Sequence, residues 1–501
     1  MIGAAELQQV TRLTESLSAD YLERAALLPL HVEEGRVIVA TWRDDVEPQL
    51  LDELSLLLDA DVVLERAPEE ELRAAIRRLY GEEPVTAEGV IAGMRVEGRD
   101  DAAGVDGPLD DLVSLANEAP VVKLVNLLLL EALEARASDV HLEWYASGVR
   151  VRYRVDGVLL DAPAPPAALA PALVSRLKIM AELDIAERRL PQDGRIRLRL
   201  QDRDVDVRVS TLPTLHGESV VLRLLDKSRG RISLAELGMA DDMLARFTEA
   251  VSRPHGIVLA TGPTGSGKTT TLYAAVELVR TGREKIITVE DPVEYQLAGV
   301  PQVPVNEKVG VTFATALRAL LRQDPDVMLV GEIRDGETAE IATQAALTGH
   351  LVLSTLHTND AASALTRLLD LGVAPFLVAS TVEAVLAQRL LRESCASCKR
   401  PVAATPEVRR EMGAASAQME EIWRGAGCNE CRGTGYRGRL GIFELLVMDD
   451  ALREEVLRRR GAGDLRALAV AAGMRTLRED GVRLVMDGRT TPEEVLRVTR
   501  A

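Results

Sequence analysis

Aromatic residues are scarce in this sequence. Only 3% of its 501 residues are Phe, Trp or Tyr, so stacking platforms for nucleobases are in short supply and Ala, Leu and Val must fill the cores. Long apolar runs are missing as well. A membrane-spanning helix needs about 18 to 20 apolar residues in succession, and the strongest candidate, 121–130, is broken by Lys123 and Asn126, so the chain is expected not to cross a bilayer. The amino terminus, MIGAAELQQV, lacks a basic segment followed by an apolar stretch and a cleavage site, and a cytoplasmic location is expected. Positive charge is in the minority: 60 Lys and Arg stand against 78 Asp and Glu. The resulting formal charge of −18 opposes a surface given over to nucleic acid or anionic lipid. The four cysteines all fall between Cys395 and Cys431, and in a reducing compartment that clustering points to a metal rather than to disulfides.

What remains is ordinary globular material, 47% hydrophobic and 28% charged, long enough for three or four compact units. Residues 1–81 combine a strand-like run at 35–41 (GRVIVAT) with an amphipathic helix at 69–80 and read as a small α/β module. Residues 82–111 hold nine acids against Arg95 and Arg99, with little to bury, and are expected to form a flexible linker. Over 112–228, helical spacing up to about 133 gives way to alternating strands at 149–155, 195–200, 205–209 and 220–225, an α+β pattern. From 229 the text changes to short continuous apolar runs, 257–260, 286–289, 327–330 and 351–353, separated by helical stretches. Such runs suit strands buried on both faces of a parallel sheet. Within this last unit, 392–440 is rich in Gly and Cys, and 441–501 reads as helical and charged.

The sharpest motif is Gly262-Pro263-Thr264-Gly265-Ser266-Gly267-Lys268-Thr269, set between an apolar run and a helix-compatible stretch beginning at Thr270. A triphosphate concentrates negative charge, so its binding requires many donors in little space. Glycines let backbone N–H groups turn inward while a helix N-terminus adds its dipole. Lys268 is expected to reach the outer phosphates, Thr269 to ligate Mg²⁺, and Thr270 to line the same site. Glu332 ends the run VMLVG at a sheet edge where ligands gather, placed to orient an attacking water or to hold Mg²⁺ through water. Glu290 and Glu294 follow a second such run and His357 a third. Taken alone these are weak signals, and a lone His is better explained structurally. Arg318 and Arg322, four apart, read from spacing as a solvated basic face. Cys395 and Cys398, with Cys428 and Cys431, form two C-x-x-C knuckles suited to tetrahedral Zn²⁺ in a closed structural site.

The strings ITVEDPVEYQ (287–296), ALRALLRQDPDVMLVGEIRD (316–335) and TGHLVLSTLHTNDA (348–361) resemble the Asp box, Walker B region and His box of the type II secretion and type IV pilus assembly ATPases. The likeness extends through DIAERRLPQDGRI (184–196), VSTLPTLHGESVVLRLL (209–225) and the tetracysteine segment, covering roughly 112–501. This resemblance implies an α/β architecture: a RecA-like P-loop motor domain with a central parallel sheet, preceded by a PAS-like α+β domain and the small N-terminal module. It implies a homohexamer using ATP, Mg²⁺ and Zn²⁺ on the cytoplasmic side of the inner membrane. The hexamer would be held there by secretion-platform proteins that engage 1–81, without direct nucleic-acid contact. It also raises Glu290, Glu294, His350 and His357 as site residues, together with Arg195, Arg208, Arg318 and Arg322, and Arg334 and Arg367 as further candidates. The function implied is a motor for pseudopilus assembly and type II protein export. Alternatives are a pilus-extension motor and, from other classes, a nucleic-acid translocase or a non-hydrolysing scaffold.

Overall fold

A computed structural model of the chain describes residues 7, 10, 11, 13, 14, 17, 19–33, 35–43, 45, 46, 48–58, 60–80, 114–200, 203–226, 232–413, 416 and 419–500. The acidic stretch 82–111 lies outside the described residues.

Near the amino terminus, strands β1 (Leu27–Glu33), β2 (Arg36–Thr41) and β3 (Asp61–Arg66) form a three-stranded sheet, β1 antiparallel and β3 parallel to β2. The helix Glu69–Tyr80 falls where its periodicity predicts. Glu69, Glu70 and Glu71 in its first turn and Arg77 and Arg78 in its last complement the helix dipole, while Leu72, Ala75, Ile76 and Tyr80 are buried.

Next comes the helix Ala119–Glu134, followed by β4 (Ala137–Tyr145), β5 (Gly148–Val155), β6 (Val158–Ala162), β7 (Gln192–Leu200), β8 (Arg203–Thr214) and β9 (Gly217–Asp226). These strands pair antiparallel in the order β6-β5-β4-β9-β8-β7, with the first strand, β4, lying beside the last, β9. The helices Ala119–Glu134 and Ala170–Met180 share a core with the sheet through Leu124, Leu128, Leu173 and Leu177 against Val140, Val151, Val207 and Leu222.

The third sheet holds the chemistry. Its strands β10 (Gly256–Thr261), β11 (Ile286–Glu290), β12 (Gln302–Pro304), β13 (Val327–Val330), β14 (Leu351–Leu356), β15 (Val382–Ser394) and β18 (Tyr436–Val447) lie in the order β12-β11-β13-β14-β10-β15-β18. All pairings are parallel except that of β18 on the edge. Alternate residues explain why these strands read as continuous apolar runs. Ile257 and Leu259 face one helical layer and Val258 and Ala260 the other, so neither face is left for water. This is the RecA-like sheet that the sequence resemblance implies. A small hairpin, β16 (Lys399–Ala403) with β17 (Glu421–Gly425), sits between β15 and β18.

Two features differ from the sequence expectation. The segment 441–447, read as the start of a helical region, belongs to β18. Its run Ile442 to Leu446 is equally compatible with helix and strand, and pairing with β15 decides the matter. Strand β15 itself is unanticipated, because Glu, Ala, Leu, Gln and Arg favour helix locally and are overridden by burial between β10 and β18.

The last helix, Pro492–Thr499, is fastened to β15 by Glu494, whose side chain is 2% exposed. Its carboxylate accepts hydrogen bonds from the Arg392 amide at 3.0 Å, the Arg392 guanidinium at 2.6 Å and Arg497 at 2.7 and 3.0 Å. Burial alone would raise the carboxyl, but donation from Arg497 and Arg392 outweighs it and brings it from 4.5 to about 2. The folded form therefore binds this proton less readily than the unfolded chain. The stabilisation is complete above the unfolded value and is lost as pH falls from 4.5 towards 2. In E494Q we expect melting at neutral pH to reflect a loss of about 3 kcal/mol, with a flatter acid limb. A melting profile unchanged between pH 5 and 2 relative to the parent would refute this.

Candidate functional site

Strand β10 delivers the chain to the loop 262–267, which turns directly into the helix Lys268–Val279. The turn depends on glycine at two places. Gly262 has φ +144°, and a Cβ there would lie 2.5 Å from the Gln388 carbonyl oxygen; Gly267, the helix N-cap, has φ +90°. Pro263, Thr264 and Gly265 are exposed and Ser266 is buried. Lys268 folds back over the loop, donating from Nζ to the carbonyls of Gly262 at 2.7 Å and Pro263 at 3.2 Å. Burial lowers its ammonium below the usual value, an effect that Glu332 opposes and Arg389 reinforces. A helix N-terminus, turning amides and a lysine thus converge on one anion-sized position. Thr269 and Thr270, in the first helical turn, are half-buried beside it.

Strands β13 and β14 bring their carboxyl ends to the same edge of the sheet. Glu332 follows β13, and its carboxylate pairs with Arg334 and accepts from His357 Nε2 at 3.0 Å just beyond β14. Burial pushes the Glu332 carboxyl up, but donation from Arg334 and His357 wins and holds it below the ordinary carboxylate value. It is therefore ionised at neutral pH and carries two orienting donors, the condition for fixing a water or a hydrated cation. Arg334 also lies 3.7 Å from Asp291.

The other sequence candidates are dispersed. Glu290, 3% exposed, is enclosed: Tyr273 from the phosphate-loop helix, Thr288 and Gln302 all donate to its carboxylate. Glu294 meets Arg208 of β8 at 3.4 Å. Arg195 and Arg208 line an open cleft with Arg223 and Pro292, at the border of the second and third sheets. Arg318 pairs with Glu337, and Arg322, just past its helix, donates to the Arg318 carbonyl at 2.9 Å; Arg322 and Arg367 are exposed. His350 precedes β14, and the six strand residues Leu351–Leu356, at about 3.3 Å each, separate it from His357. Its Nδ1 lies 2.9 Å from the Ala345 carbonyl. The structure therefore brings Lys268, Glu332 and His357 to one sheet edge and leaves His350 at the other.

The four cysteines gather between β15 and β18. Cys395 and Cys428 sulfurs are 3.8 Å apart, Cys398 and Cys431 3.8 Å, Cys428 and Cys431 3.7 Å, and all four lie within 4.8 Å of one another. A tetrahedral ion with bonds of about 2.3 Å needs sulfurs about 3.8 Å apart, so this donor set fits Zn²⁺. Burial would raise the Cys431 thiol, but amide donation from Cys428 at 3.1 Å and Gly435 at 3.3 Å outweighs it and pulls the thiol down to about 6.

A family model described as type II/IV secretion system protein matches residues 114–497. The chain belongs to that family. A second model, the MshEN domain, matches residues 2–86. Among curated relatives, type II secretion system protein E of Xanthomonas campestris pv. campestris is 48% identical over 488 residues, 97% of this chain and 85% of the relative. Type II secretion system protein HxcR of Pseudomonas aeruginosa is 56% identical over 78% of this chain and 80% of its own. The type IV pilus assembly ATPase PilB of Myxococcus xanthus is 44% identical over 95% and 84%. Among solved structures, the pilus retraction motor PilT with bound ADP matches at a TM-score of 0.51 and 25% identity, over 75% of this chain and 97% of that one. The Legionella pneumophila ATPase DotB, at 0.56 and 20% identity, shares the fold.

Within this secretion-family chain, sequence reasoning missed Tyr273, Gln302 and Gln388. Tyr273 and Gln302 wrap Glu290, and Gln388 buttresses the phosphate loop, donating from Nε2 to the Ser266 carbonyl at 2.7 Å. Each lies inside an ordinary strand or helix pattern, and only tertiary pairing gives it a partner.

Proposed function

We propose that this chain is a magnesium-dependent ATPase that powers pseudopilus assembly and protein export in type II secretion, working as a homohexamer peripheral to the cytoplasmic face of the inner membrane. The observation that carries this reading is the loop 262–267 running into the helix at Lys268, with Glu332 and His357 at the same sheet edge. Relatives named type II secretion system protein E, matched over most of both chains, supply the secretion assignment.

Loop amides and Lys268 hold the phosphates, and the Thr269 hydroxyl is the chain's own ligand for Mg²⁺, which when bound neutralises charge on the outer phosphates. Glu332, oriented by Arg334 and His357, positions the attacking water. Glu290 acts through Tyr273 of the phosphate-loop helix and Glu294 through Arg208. Arg195, Arg208, Arg318 and Arg322 are offered to the nucleotide of an adjacent protomer, since in this chain they face clefts and solvent rather than the loop. His350 takes no part in the step. Cys395, Cys398, Cys428 and Cys431 would hold Zn²⁺, which when bound would cross-link the chain there. Residues 1–81 engage the membrane platform.

A pilus-extension motor is the second reading, favoured by the likeness to PilB of M. xanthus over 95% of this chain. The net charge of −18 opposes a nucleic-acid translocase. Two measurements test the assembly. Specific activity should climb with protein concentration as protomers complete one another's sites. A chain lacking 1–81 should keep basal hydrolysis yet fail to bind inner-membrane vesicles that contain the platform. Concentration-independent turnover would exclude shared sites, and undiminished vesicle binding would exclude docking through 1–81.

A further inference from the structure

Strand β15 reaches the phosphate loop with two side chains that the reading above leaves unused. Its register with β10, Ala387 opposite Thr261, sets Gln388 alongside Gly262. Gln388 is 2% exposed and donates to the Ser266 carbonyl, yet its Oε1 has no partner, and neither does the buried Ser266 Oγ. Two polar atoms without partners, buried beside a phosphate-sized turn, are costly unless something polar arrives.

Arg389 is the more telling residue. Successive strand side chains alternate in direction, so it leaves β15 on the face opposite Gln388. Its Nη2 then donates to Asn359 Oδ1 at 2.9 Å, in the loop after β14. Because β14 and β15 flank β10, that bond carries the guanidinium across the carboxyl end of β10, where the phosphate loop begins. Arg389 Nε is buried without an acceptor, and among the described residues no carboxylate pairs with this side chain. Other partly buried arginines near this sheet are matched by acids: Arg253 and Arg453 by Glu383, Arg392 by Glu494, Arg483 by Asp480. Burial lowers the Arg389 guanidinium from its usual value, and its charge acts on Lys268. At this edge Lys268, Arg334 and Arg389 face Glu332, which Arg334 and His357 already occupy, and Asp291 near Arg334. Glu290, also at this edge, is taken up by Tyr273, Thr288 and Gln302, so Arg389 has no carboxylate of its own, and a partly desolvated guanidinium held by one neutral acceptor gains from an anion that approaches it.

We propose that Arg389 is a same-chain contact for the terminal phosphate of the bound nucleotide, resting on Asn359 until that phosphate arrives, with Gln388 fixing the height of the loop it reaches across. The assignment rests on the nucleotide reading given above. The planar fork of Arg389 can release one acceptor and take two phosphate oxygens, so the contact distinguishes ATP from ADP.

The test uses the full-length protein with R389Q, which keeps a planar hydrogen-bonding end on a shorter side chain but drops the charge, and R389K, which keeps the charge but not the fork. In R389Q the KM for ATP should rise about tenfold or more, as loss of one charge-assisted bond requires, while ADP affinity stays within about threefold, since it lacks the terminal phosphate. R389K should recover part of the ATP affinity. Chains carrying R389Q mixed with chains carrying K268A should show no recovery of hydrolysis, because no protomer then holds both residues. The proposal is overturned if ATP and ADP affinities are both unchanged or fall together. Equal losses in R389K and R389Q with a lowered melting temperature also overturn it, by marking a structural role. Recovered turnover in the mixture would hand Arg389 to the neighbouring protomer's nucleotide. A parent protein that binds neither nucleotide would sink the nucleotide reading itself, a result separable from all of these.

Discussion

Glu332→Gln is expected to lower the turnover of ATP about 10² to 10⁴-fold while leaving nucleotide binding within a few-fold. The carboxylate is ionised, and its two oxygens are oriented by Arg334 and His357. An amide keeps the shape of that group but offers one acceptor where there were two, and it no longer carries the charge that polarises a water. The groups proposed to grip the nucleotide in the ground state, the amides of 262–267 and Lys268, are untouched. Loss at Glu332 should thus fall on kcat rather than KM, the signature of an interaction made in the transition state. Lys268→Ala, by contrast, should weaken binding and turnover together. Phosphate release with a fluorescent nucleotide titration measures both quantities. Turnover of E332Q within threefold of the parent would remove Glu332 from the chemistry.

Stripping the metal from the cysteine knuckle should have the second largest effect, on a different observable. Four sulfurs about 3.8 Å apart have no reason to gather without an ion, and a structural zinc contributes roughly 10 to 16 kcal/mol to the fold of its own segment. Chelation should release one metal ion per chain and open 395–435 to protease, while turnover measured in the cold at first declines only a few-fold. Cys431→Ser should reproduce the protease pattern without chelator. A protein purified free of metal, or one whose protease map is unchanged after the metal leaves, contradicts the assignment.

The phosphate loop was legible because backbone geometry demands glycine at fixed offsets and the chemistry demands the lysine. Gly262, Gly267 and Lys268 announce themselves before any fold is known. The sheet was legible because strands buried on two faces have no polar alternation, as Ile257 to Ala260 show. Where meaning depended on a partner far along the chain, the text was silent. Glu290 reads as a free carboxylate at a strand end, yet Tyr273, 17 residues earlier, encloses it. His350 and His357 look equivalent in a single motif, but strand direction sends them to opposite edges. Arg389 sits in a stretch of helix-favouring residues, and only the pairing of β15 with β10 brings it to the loop.

That pairing carries a mechanical corollary. One continuous strand begins beside β10, touches the nucleotide loop at Gln388 and, seven residues or about 23 Å later, enters the first cysteine knuckle at Cys395. Up to Ala387 the strand is held by β10 and β18, and from there to Ser394 by β18 alone, so an extended, hydrogen-bonded backbone links the loop to the far end. The cysteine cluster is then the far anchor of a strut, and movement at the loop would be felt there along the strand.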